Sequence, residues 1–299
     1  MKSLSMLLFF CVASFALDLR AQNDGVSGLT VELTTEQDQF LSNEDLRLGV
    51  RITNRSGQTV HFGKGNDWLT FTVEARDNYV VSQLGEVPVE GEFSLDSSLA
   101  GTKRVNLTPY FDFRQTGRYE VIATVKIPQW NKEIVSQPKT FDIINGTKLR
   151  EFDFGVPPAK GETNVQPEMR KYILQQAIYL KQMKLYLRLT EADESVVLKV
   201  FPIAPMVSFS QPEAQVDRSS NLHVLSQIGP RSFNYSVINP EGNVVIRQTH
   251  DYSPKRPTLR SNAEGKISVV GGVRRMTTHD LPQISTTQSP DKNAQAPKP

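Results

Sequence analysis

The stretch "GRYEVIATVKI", residues 117–127, alternates at every second position, with Tyr119, Val121, Ala123, Val125 and Ile127 on one side. A two-residue period lays one side of an extended strand on a core and the other in water. It does not line up an apolar stripe on a helix, whose period is 3.6. The same grammar runs from Gly28 to about Asn145. "LTVEL" alternates at Leu29, Val31 and Leu33, and "LRLGVRITN" at Leu46, Leu48, Val50 and Ile52 before stopping at "NRSGQ". "WLTFTVEARDN" sets Leu69, Phe71, Val73 and Ala75 against Trp68, Thr70, Thr72 and Glu74, and "KRVNL" and "KTFDII" extend the series. Short alternating strands separated by turn residues specify an all-β class and point to a sandwich.

Gly117 lets the chain turn tightly into its strand, because glycine accepts positive φ without steric cost. Tyr119 follows two residues later. "TGRYEV" resembles the tyrosine corner of immunoglobulin-like sandwiches, where a Tyr near the start of the sixth strand returns its hydroxyl to the backbone of the preceding loop. On these residues the segment 28–145 resembles an immunoglobulin-like β-sandwich of the kind common in exported bacterial proteins, and the domain is drawn at 28–148. The resemblance implies structural roles for Gly117 and Tyr119 and concerns fold class. The Cys pair and central Trp of antibody domains are absent, and no binding residue carries over.

Asn145-Gly146, between "FDII" and "TKLREFDF", is a hairpin signal. "GVPPAKGETNVQP" combines Gly, Pro and polar residues, so residues 149–166 read as a linker to a second domain at 167–276. Within "PEMRKYILQQAIYLKQMKLYLRLT" the apolar residues fit helical and strand spacing about equally over 167–183. "KLYLRLT" alternates cleanly and "SVVLKVFPI" can pair with it around "EADE", which favours two strands joined near "KQM" over one short helix. From Ala214 three units repeat: "AQVDRSSNLHVL", "YSVINPEGNVVI" and "TLRSNAEGKISVV", with Asp217, Asn239 and Asn262 opening three similar turns. Three such hairpins make an antiparallel β-meander. "VDRSSNLHVL" resembles the inner-strand motif of β-propeller repeats, a resemblance confined to residues 214–272. A closed propeller needs at least four blades of four strands, which this chain does not supply. An alternative arrangement has the meander complete a sheet of the first domain. Residues 280–299, with almost nothing apolar to bury, read as a disordered tail.

"MKSLSMLLFFCVASFA" has one Lys, an apolar run from Leu4 to Val12 and then small residues, the three-part pattern of a secretory signal peptide. Residues 1–21 are assigned to it, with cleavage after Ala16 or Ala21 and a secreted or periplasmic destination. The single Cys, Cys11, lies inside this run. It follows Phe9 and Phe10 rather than the small residues of a lipoprotein box. The processed chain would hold no Cys, so thiol nucleophiles and thiolate metal sites are excluded. A net charge of +2 without a like-charge run argues against nucleic acid as partner. The apolar run falls short of a bilayer span, so stable membrane insertion is not expected after signal removal.

No metal site is expected: the four His residues form no "HxH" or "HExxH", and in His250-Asp251 and His279-Asp280 adjacent side chains point apart. His223, alternating with Leu222 and Val224, is expected at a partly exposed surface. No "GxSxG" and no phosphate loop occurs, and no cofactor is expected. Sequons at Asn54, Asn106, Asn145 and Asn234 are expected bare. The loop "HFGKGNDW" is the richest in ligand-type side chains, so His61, Lys64, Asn66, Asp67 and Trp68 are the candidate binding residues, against the ordinary reading of Trp68 as core. The expected function is an exported, non-enzymatic interaction or structural module of the envelope or extracellular space, with a protein or glycan partner. The alternatives are a carbohydrate-binding protein or inactive glycosidase relative, and an inhibitor of exported proteases.

Overall fold

The computed structural model describes residues 28–65, 67–76, 79–156 and 168–282. These residues form strands throughout, with one turn of 3-10 helix at Pro128–Trp130. The sequence-assigned signal peptide and Asn66 lie outside the described residues.

The first unit contains β1 (Leu29–Thr35), β2 (Gln39–Leu41), β3 (Arg47–Asn54), β4 (Val60–Phe62), β5 (Leu69–Ala75), β6 (Phe93–Leu95), β7 (Ala100–Asn106), β8 (Gly117–Ile127), β9 (Lys132–Val135) and β10 (Lys139–Ile144). A three-stranded sheet, β1-β3-β7, faces a sheet in the order β2-β10-β8-β5, with β9 also on β8. One core fills the space between them. Val31, Leu48, Val50 and Ile52 come from one side and Phe71, Tyr119, Val121 and Val125 from the other. The alternation of β8 is reproduced residue by residue, Tyr119 to Ile127 being buried at every second position. Gly117 enters the strand at φ 152°. The Tyr119 hydroxyl donates to the Gln115 carbonyl oxygen at 2.7 Å, and its ring stacks on Phe141 at 5.5 Å.

The second unit begins with β11 (Thr147–Gly155), β12 (Met169–Tyr179), β13 (Gln182–Glu191) and β14 (Val197–Pro205), a four-stranded antiparallel meander in chain order. The run at 169–179 is therefore a strand and not a helix. Its burial explains the double periodicity: Tyr172, Ile173 and Leu174 are consecutive and all buried, because both faces of this sheet are covered. Residues 149–155 of the segment assigned to a linker belong to β11, and the chain passes from one unit to the next at Asn145-Gly146. That dipeptide does not make a hairpin. β10 is already hydrogen-bonded to β8 on one side and β2 on the other, so β11 pairs with β12 instead.

The remainder consists of β15 (Glu213–Val216), β16 (Leu222–Gln227), β17 (Ser232–Ile238), β18 (Val244–Asp251), β19 (Thr258–Ser261), β20 (Ile267–Val270) and β21 (Val273–Arg275). The three repeat units share one turn. In each, the backbone N–H of the opening residue bonds to the carbonyl four residues on, at 3.0 Å, from Asp217 to Asn221, Asn239 to Asn243 and Asn262 to Lys266. In each, the opening side-chain oxygen also accepts from that fourth residue's N–H, at 2.9, 2.7 and 2.8 Å. The position before it is left-handed, held by Ser220, Gly242 and Gly265 at φ 63, 74 and 80°. At Gly242 a Cβ would also lie 3.0 Å from Lys199 Cδ and 3.1 Å from Leu189 Cδ2, tight contacts that add to the preference for glycine there.

Two of these hairpins lie in the sheet β15-β16-β17-β18-β21, but the third, β19–β20, stands apart from it. Leu259 and Ile267 of that hairpin pack on Leu225, Phe233 and Val237, while Leu222, Val224 and Ile238 pack on Tyr172, Leu185 and Leu187 of the preceding sheet. The five-stranded sheet is thus a middle layer, and β16 is buried at every residue. His223 is buried for that reason, not partly exposed. No strand is shared between this part and the first unit among the described residues. Order extends into the segment assigned to the tail: Asp280 is buried, and Leu281 pairs with Arg247.

Candidate functional site

Of the candidate residues in the loop "HFGKGNDW", His61, Lys64 and Asp67 are exposed and Trp68 is buried. His61 is exposed, with Nδ1 2.7 Å from Ser94 Oγ, and Lys64 is exposed. Asp67 is exposed and paired with Lys126 at 3.0 Å, which lowers its pKa. Trp68 is core: it is 2% exposed, its indole N–H donates to the Val89 carbonyl at 3.2 Å, and its ring meets Phe62 and Phe93. It offers no face on which a sugar could stack. A hollow of about 320 Å³ beside Asp67, with Gln83 and Glu86 on it, contains no buried polar atom lacking a partner.

A larger cleft, about 570 Å³, lies where β14 and the β17-β18-β21 edge meet. Strand register sets out the polar sheet face from which Asn234, Arg247, Thr249 and Arg275 border the cleft, Ser226 and Ser236 lying on that face outside its border. Ser226, Asn234, Thr249 and Arg275 are directly opposite one another across β16, β17, β18 and β21, and Ser236 faces Arg247 in the next row. Cross-strand partners share a face, so these side chains form one patch. Thr277 and His279, beyond β21, complete the wall. Pro202, Ile203, Ala204, Pro205 and Ile228 form the apolar side. Lys184 also borders the cleft, but its ammonium sits 4.1 Å over the Tyr179 ring.

Two polar atoms of this patch, Arg247 Nε and Ser226 Oγ, are buried with no hydrogen-bond partner. A buried orphan costs roughly 1–3 kcal/mol and is rare in native proteins, so each calls for a missing partner. Arg275 is already held by Asp251 at 2.7 Å, and Asn234 Nδ2 donates to Ser236 at 2.9 Å. None of the residues bordering the cleft is a carboxylate.

The opposite face of the same sheet carries a closed polar chain. His223 Nε2 lies 3.1 Å from Asp217 and Nδ1 2.8 Å from the Tyr235 hydroxyl. Burial, followed by the Asp217 charge, pushes the Tyr235 hydroxyl up to about 12, so it stays protonated. Every group in this chain has a partner, and its role is to fix the β15–β16 turn. Beside it, His250 Nε2 is buried without one. Among the described residues, no cluster of three or more His, Cys, Asp or Glu could hold a metal ion, and no helix is long and apolar enough to cross a membrane.

The cleft residues escaped the sequence reading because Asn234 and Ser236 alternate with Phe233, Tyr235 and Val237, the pattern of a solvent face. Asn234 stood out as a sequon alone, and the signal available was a run of short polar residues inside an otherwise apolar strand. Asn234 and Asn54 are both buried, so neither side chain is open to a glycan in the folded chain. No protein-family model matches this chain, and no curated protein matches it, so the site is read from its own residues.

Proposed function

We propose that this protein is an exported, non-enzymatic binding module: an immunoglobulin-like sandwich joined to a layered β unit whose cleft holds the ligand. The Tyr119–Gln115 bond and the glycine-led entry to β8 support the immunoglobulin-like reading, and the pattern of residues 1–21 supports export. The observation that carries the binding role is Arg247, which lines this cleft of about 570 Å³, forms no ion pair among the described residues and has its Nε buried without a hydrogen-bond partner. Cations, amides and hydroxyls set beside an apolar wall orient and retain a ligand, which is the composition of small-molecule sites. The sugar-binding alternative has no exposed Trp to support it in the first unit's loop.

The test is an amide-resolved NMR titration of the purified protein with small-molecule extract from the medium in which it is produced. Shifts concentrated at Asn234, Thr249 and Thr277 are expected. Shifts confined to residues 61–68, or none at the cleft, would remove the cleft as the binding site.

A further inference from the structure

The geometry points to an anion with an apolar body, a carboxylate amphiphile, as the ligand of the cleft between β14 and β18; this rests on the binding role proposed above. Charge sets the sign. Arg275 is neutralised by Asp251, at 2.7 Å from its Nε. Arg247 forms no ion pair among the described residues, and its Nε lacks even a neutral acceptor. A guanidinium presents a planar fork that a carboxylate accepts through two parallel hydrogen bonds. Lys184, which borders the same cleft and forms no ion pair among the described residues, adds to the positive potential, so the site favours an anion.

The hydroxyl of Thr249 stands on the same face of β18, two residues from Arg247, where it can donate to the same head group. The far side dictates the rest of the molecule. Pro202 and Pro205 have no backbone N–H to offer, and Ile203, Ala204 and Ile228 add hydrocarbon. A polar body placed there would lose its hydrogen bonds to water and gain none. The cavity, about 570 Å³, is of the size that accommodates an ordinary small ligand.

The test uses octanoate, octan-1-ol and acetate as probes of the purified protein, read by titration calorimetry and by amide shifts. Octanoate is expected to bind about tenfold more tightly than octan-1-ol, since a hydrogen bond to a charged group is worth that much, and acetate to bind more weakly than either. Arg247→Gln is expected to weaken octanoate about tenfold while leaving octan-1-ol unchanged. Equal affinity for octanoate and octan-1-ol would overturn the anion assignment and leave the cleft as an apolar site. No shift at Asn234 or Thr249 with any probe would instead overturn the binding role of the cleft itself. If Arg247→Gln loses its cooperative thermal transition, the comparison of octanoate with octan-1-ol on the unaltered protein decides the matter alone.

Discussion

Two histidines on one sheet face meet burial in different ways. His223 is enclosed by partners on both ring nitrogens, whereas His250, two strands away, has its Nε2 buried and unpartnered. Desolvation, followed by the positive charge of Arg274, lowers the His250 pKa from 6.5. A base whose folded pKa lies below its unfolded value is protonated first in the unfolded chain. The unfolded state therefore gains protons as pH falls below about 6.5, and the stability tied to a neutral His250 is full above that pH and is lost below it. Denaturant titrations at pH 7.5 and 5.5 should show a fall in stability for the unaltered protein. That fall should be smaller in His250→Gln, which cannot titrate. An identical pH dependence in the two proteins would mean that His250 is not the group responsible. Asp217 works in a different window. Burial alone would raise its pKa, but hydrogen bonds from Asn221 and His223 outweigh it, so its contribution is present above the ordinary Asp range and disappears only in stronger acid.

The β12–β13 hairpin turns through Leu180 and Lys181, both at positive φ, 45° and 67°. Two-residue hairpins favour left-handed central residues because the twist matches that of the strands, and Asn-Gly satisfies this at least cost. An L residue with a Cβ gives up about 1–2 kcal/mol per left-handed position. Leu180 is 69% exposed, so its side chain repays little of that. Replacing the pair, Leu180→Asn with Lys181→Gly, should raise unfolding stability by about 1–2 kcal/mol in urea, part of the gain being offset by glycine's extra freedom in the unfolded chain. The same hairpin shows what a sequence can state locally. β8 was legible because it buries one face, and the turns opened by Asp217, Asn239 and Asn262 were legible because their chemistry is contained within five residues. β12 was ambiguous because two faces are buried, which erases the two-residue period. Asn145-Gly146 reads as a hairpin until it is known that β10 has both edges occupied, and the β19–β20 turn does not say that its hairpin will cross the sheet instead of joining it. The cleft was invisible for the same reason as the third layer: polar residues at alternate positions look solvated when the element that covers them is distant in sequence.

At the scale of the molecule, three packed junctions join the parts in series. The first unit meets the outer face of the β11–β14 sheet, that sheet's inner face meets the β15–β18 sheet, and the β19–β20 hairpin covers the last. The junction between the units is small but apolar: Leu41 and Ile144 of the first unit lie against Ala177, Tyr186 and Val200 of the second. Arg188, half-buried there, donates to the Ser42 carbonyl at 3.3 Å. Tyr186 is 1% exposed and is the largest side chain at the junction. Removing an aromatic ring from such a position costs about 3–5 kcal/mol through lost burial and the cavity left behind. Because the ring belongs to one unit and is covered by the other, the loss should fall on the coupling between them as well as on the second unit. Scanning calorimetry of the unaltered protein is expected to show a single transition. Tyr186→Ala should lower its midpoint and separate it into two, since two-state unfolding of a two-unit chain requires the junction to be worth more than the difference between the units' own stabilities. Two transitions already present without the substitution, with Tyr186→Ala moving just one of them, would show that the units fold independently and that the junction contributes contact without cooperativity.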